Sequence, residues 1–152
     1  MNNENVKMGV FSIRSHQAGL VAGAFNDYYG AEVKYKADPF SRDGRVSDPE
    51  EFRQRLQTDR YDMIITGPNG LTILQEVGYS GPVVVMSAYN HLSRGDIHGF
   101  KPYAIIRKSA SQGLPNQCVA MADHYFRNKP INPELLENVR ILNKNIHSDE
   151  TI

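Results

Sequence analysis

The sequence predicts an α/β domain in which helices cover both faces of a parallel β-sheet. Three observations carry this. Short apolar runs recur with room for one helix between successive runs. Two of them, Met63-Ile64-Ile65 and Val83-Val84-Val85-Met86, are continuously apolar, as central strands buried on both faces are. A further run, Ala31 to Lys36, alternates Ala, Val and Tyr with Glu, Lys and Lys, the pattern of an edge strand with one wet side. At 152 residues the chain has the length of one domain and needs no disulfide or metal to hold its core.

The elements follow in order. Lys7 to Ile13 reads as the first strand. A helix follows from Ser15, whose hydroxyl suits an N-cap, with Ala18, Val21, Phe25 and Tyr28 on one stripe and Gly30 as its stop. After the edge strand, Asp38 to Asp48 is a polar loop turning at Gly44. In Asp48-Pro49-Glu50-Glu51, Asp48 caps a second helix, Pro49 fits its first position and Glu51 completes a capping box. Phe52 and Leu56 form that helix's buried side. Between the central strands, Gly70 to Val77 makes a short helix burying Leu71, Leu74 and Val77, and residues 78–82 turn the chain. Ala104-Ile105-Ile106 is a fifth strand, after a weakly patterned crossover from His91 to Gly99. From Ser111, the positions of Leu114, Cys118, Met121 and Tyr125 mark a last covering helix. Beyond Lys129-Pro130, Asn132-Pro133-Glu134 signals a separate C-terminal helix with Leu135, Val139 and Leu142 on one face. The organisation expected is a domain over 1–128 and a helix and tail over 129–152.

Composition removes several function classes. Seventeen basic and 17 acidic side chains leave no net charge, which argues against broad electrostatic binding to nucleic acid or anionic lipid. One tail helix is too little for a helix-turn-helix. The single cysteine, Cys118, excludes an intramolecular disulfide, fits a reducing compartment and lies on an apolar stripe as a buried small hydrophobe. The five histidines show no metal-ligand spacing, so no metal is expected. No phosphate-binding loop follows the first strand, and no nucleophile elbow supports Ser-His-Asp catalysis. The polar opening lacks the apolar core of a signal peptide, and no stretch approaches the roughly 20 apolar residues of a membrane span. The expected location is the cytoplasm.

Five βα units in this order make a flavodoxin-like domain, whose ligands meet the carboxyl ends of the strands where the strand order reverses. Tyr79 to Tyr89 and Tyr103 to Lys108 resemble the fourth and fifth strands of the receiver domain of two-component response regulators. In receivers the fourth strand ends in Ser or Thr followed by Ala, and the fifth in Lys; these hold the phosphoryl group on an aspartate. Ser87-Ala88 and Lys108 match them. The likeness spans residues 7–128 and is close over 79–108. It implies a receiver-like three-layer sandwich with a five-stranded parallel sheet of order 2-1-3-4-5, followed here by the C-terminal helix. It also implies a partner face near the fourth helix, fifth strand and fifth helix, which on this chain takes in His91, Phe100, Tyr103, Ile105, Ser111 and Cys118.

The reactive parts of a receiver site are missing from the matched positions. Where the family has two acidic residues after its first strand to hold magnesium, this chain has Ser12 and Ile13, followed by Arg14. The phosphorylated aspartate should stand five residues after Asp62, and Gly67 stands there; neither Thr66 nor Asn69 supplies a carboxylate nucleophile. Ile105 replaces the switch aromatic and Ser109 the usual Pro. Aspartyl phosphorylation needs a carboxylate nucleophile and a divalent ion, and such ions want several oxygen ligands. The resemblance therefore implies a degenerate receiver, or pseudo-receiver. It has no catalytic residue and no cofactor, and acts by contact with a protein partner or in a homodimer.

An alternative of a different class is a flavodoxin-like small-molecule binder or phosphocarrier enzyme that shares only architecture with receivers. For that reading, Ser12, Arg14, His16, Asn69, Ser87, Asn90, His91 and Lys108 stand at one rim as an anion pocket, although polar residues there are also the ordinary solvated margin of the fold. The 38–48 loop is a second contact surface to test. The tail stripe is too short for a coiled coil and suits packing on its own domain or a dimer contact.

Overall fold

A computed structural model of the chain describes residues 4–13, 17–28, 33–41, 43, 46–87, 102–107, 113–130 and 139–141. Six strands lie in one sheet: β1 (Glu4–Phe11), β2 (Val33–Asp38), β3 (Met63–Thr66), β4 (Val83–Ser87), β5 (Ala104–Arg107) and β6 (Val139–Ile141). The first five are parallel in the order β2-β1-β3-β4-β5, the flavodoxin-like arrangement expected. The described helices are α1 (Gln17–Asn26), α2 (Pro49–Thr58), α3 (Leu71–Val77) and α4 (Leu114–Arg127).

Successive residues of a strand point to opposite faces, and the core divides accordingly. Met63, Ile65, Val84, Met86, Ala104 and Ile106 pack with Phe25 of α1 and Met121 of α4. Their neighbours Ile64, Val83, Val85 and Ile105 pack with Phe52 of α2 and Leu74 of α3. The continuous apolar runs are thus read correctly as strands covered on both sides, in a three-layer sandwich. In β2, Val33, Tyr35 and Ala37 are buried while Lys34 and Lys36 are exposed, as an edge strand requires.

Local chemistry sets the boundaries. β1 begins three residues before Lys7, and β2 begins at Val33. Asp48 caps α2, accepting the Glu50 N–H at 3.0 Å. The capping box does not close in the expected form: the Asp48 N–H donates to the Phe40 carbonyl at 2.8 Å, and Glu51 pairs with Arg55 at 3.4 Å. A 3-10 turn, Pro68–Gly70, precedes α3, and Gly78 at φ 76° ends that helix in the left-handed region where glycine carries no side-chain clash. α4 starts at Leu114, after Gly113. Its stripe buries Cys118 and Met121, but Tyr125 is 44% exposed, a correction to the expected face.

The β2–α2 loop is more than a solvated connection. Phe40 is fully buried, with its ring 4.7 Å from Phe52 and 5.3 Å from Tyr61 between centroids. It lies over Gly9, where an added Cβ would fall 2.6 Å from both Phe40 Cζ and Ile64 Cδ1. The missing side chain at Gly9 makes room for the aromatic ring.

The tail differs from expectation. Val139–Ile141 is strand rather than helix, antiparallel to β5, with Val139 buried in the core. Val and Ile favour extended backbone, and the edge of β5 supplies the ladder that a lone helix there would lack. Residues 131–138 and Leu142, which carry the rest of the expected C-terminal helix, lie outside the described residues, as do Ser15, Gly30, Gly44 and the 91–99 crossover. Among the described residues no helix is long and apolar enough to cross a membrane.

Candidate functional site at the carboxyl ends of the strands

The strand order reverses between β1 and β3, so their carboxyl ends frame the position where this fold holds ligands. Phe11 pairs with Thr66, Thr66 with Val85, and Ser87 with Arg107, which brings Ser12, Gly67 and Ser87 to one end of the sheet. The Gly67 N–H donates to the Phe11 carbonyl at 3.0 Å, extending the β1–β3 ladder past the last strand residue. Thr66 is fully buried, and its hydroxyl donates to the Gly67 carbonyl at 2.7 Å.

Gly67 is extended, at φ −70° and ψ 168°, and an added Cβ would meet only Met86 O, at 4.0 Å. Neither backbone nor neighbours demand glycine there. Gly70 is the opposite case. A Cβ there would overlap Thr66 Oγ1 and approach Phe11 Cδ2 to 2.8 Å, so the 3-10 turn crosses the strand ends only because that residue has no side chain.

At the acidic-pair positions, Ser12 is 3% exposed and Ile13 is 41% exposed. The Ser12 N–H donates to Ser47 Oγ at 2.9 Å, and the Ser47 N–H donates to the Ser12 carbonyl at 2.9 Å. Ser47 Oγ also lies 2.7 Å from the Pro39 carbonyl, to which its hydroxyl donates. The Ser12 hydroxyl reaches Gln17 Oε1, at the start of α1, at 3.5 Å. The end of β1 is therefore tied to the β2–α2 loop through hydroxyl and backbone groups.

Ser87 is buried at the end of β4, while Asn69 is exposed. Lys108, Arg14, His16, Asn90 and His91 lie outside the described residues, and so do Phe100 and Ser111. Of the expected partner face, Tyr103, Ile105 and Cys118 are buried in the core and underlie that face rather than presenting side chains on it. Burial alone pushes the Cys118 thiol above its ordinary range.

A buried polar cluster stands elsewhere, between α1, β2 and α4, where sequence reading assigned only an apolar stripe. Asp123 accepts from the Tyr28 hydroxyl at 2.6 Å and the Tyr35 hydroxyl at 2.5 Å, with Arg127 Nη1 at 3.4 Å. Asp123 and Arg127 stand one helical turn apart, the one signal available in the sequence. Burial first, then the Asp123 bond, raises the Tyr35 hydroxyl well above its ordinary value; for Tyr28 the Asp123 bond is the leading cause. Its polar groups are engaged with one another, and it reads as a structural clasp. Beside it, the His124 Nδ1–H donates to the Lys129 carbonyl at 2.7 Å; among the described residues, His124 Nε2 and Tyr103 Oη are buried without a partner.

A cavity of about 290 Å³ lies at the opposite, amino end of the sheet, among Leu56, Asp59, Arg60, Tyr61 and Tyr79. Its acid is engaged: Asp59 accepts from Lys7 Nζ at 3.1 Å, which holds its carboxyl below the usual range. Both ring hydroxyls are engaged as well, Tyr61 with Asp38 at 3.1 Å and Tyr79 with the Tyr61 carbonyl at 3.2 Å. Among the described residues no group of three or more His, Cys, Asp or Glu side chains is placed to hold a metal ion. Compared with protein-family models, with curated proteins and with solved structures, the chain matches none.

Proposed function

We propose that this chain is a pseudo-receiver, a regulatory module that acts by protein–protein contact without aspartyl phosphorylation, in the cytoplasm. The observation that carries the reading is Gly67. It follows β3 at the reversal of strand order, on a backbone that accepts any residue and with room for a Cβ, yet it bears no carboxylate. Glycine supplies no phosphoryl acceptor there, and neither the backbone nor the space around a Cβ requires it. Ser12 supports the same reading, since the position that should offer a metal-binding acid is a buried hydroxyl residue bonded to Ser47. The resemblance of Ser87-Ala88 and Lys108 to receiver strand ends links this scaffold to signalling; a module without the transfer chemistry retains its surfaces for partners.

The test is exposure of the full chain to acetyl phosphate and magnesium, followed by intact-mass measurement. The expected spectrum is that of the unmodified chain. A stoichiometric adduct with the mass of one phosphoryl group overturns the reading.

A further inference from the structure

We draw no further inference here: the strongest candidate, the cavity of about 290 Å³ at the amino end of the sheet among Leu56, Asp59, Arg60, Tyr61 and Tyr79, carries nothing, because its acid and both its ring hydroxyls are engaged within the fold and nothing in the structure shows what would occupy it.

Discussion

Ser47 and Ser12 hold each other through a reciprocal pair of hydrogen bonds, each 2.9 Å, between the β2–α2 loop and the end of β1. This contact decides what the reversal point of the sheet can do, because it turns the backbone of Ser12 toward the loop and buries its side chain. Replacing Ser47 with Ala leaves the Ser12 N–H without its acceptor in a buried setting. The loss expected is about 1–3 kcal/mol of unfolding free energy, read from urea denaturation. An unchanged midpoint would show that the loop is not held this way.

Gly67 and Gly70 stand three residues apart and should respond oppositely to the same substitution. Gly67→Ala adds a methyl where there is room and the backbone is ordinary, so stability should hold or rise by about 0.4–1 kcal/mol. Gly70→Ala pushes a methyl into Thr66 and Phe11 and should lose about 1–3 kcal/mol. Thermal melts of the two variants make the comparison; equal losses would mean that space at Gly67 is not what the geometry indicates.

Alkaline pH should weaken the fold through its buried tyrosines. Burial is the leading cause that raises the Tyr35, Tyr61 and Tyr79 hydroxyls above their ordinary value, and it pushes Tyr103 up to about 12. A hydroxyl that holds its proton more tightly when folded contributes stability that is complete below its unfolded value, near 10, and lost as pH climbs toward the folded one. For Tyr103 that window runs from about 10 to about 12. Denaturation midpoints should therefore fall steadily above pH of about 10, and Tyr103→Phe should flatten the slope. A slope unchanged by that substitution would contradict the assignment.

Cys118 should be inert. Its side chain is fully buried and its thiol is held protonated by burial, so a thiol reagent at neutral pH should label the denatured chain completely and the native chain not at all. Labelling of the native chain at the denatured rate would show that α4 does not pack its Cys118 face against the core.

The elements most legible in the sequence are those whose burial is symmetrical. Met63-Ile64-Ile65 and Val83-Val84-Val85-Met86 are apolar without interruption because helices cover both sides, and that signal needs no knowledge of the rest of the chain. Asp48 was legible as a cap because its role is local, whereas the partner of its N–H is Phe40, eight residues earlier and held by tertiary packing. Val139 misled in the other direction. Its spacing from Leu135 and Leu142 fits a helix, but the edge of β5 beside it decides in favour of a strand. At the candidate site the residue identities at Ser12, Gly67 and Ser87 could be read in advance. The bond between Ser12 and Ser47 could not, because nothing in a polar loop indicates which hydroxyl turns inward. The Asp123 clasp is faint in the sequence for a related reason: its tyrosines come from α1's end and β2, far away in the chain.

The most direct measurement is a magnesium titration followed on the backbone amide resonances of Ser12, Gly67 and Ser87. A strand-end site without carboxylates at Ser12, Ile13 and Gly67 predicts no saturable shift at these amides. Saturable shifts shared by all three at one dissociation constant would contradict the account.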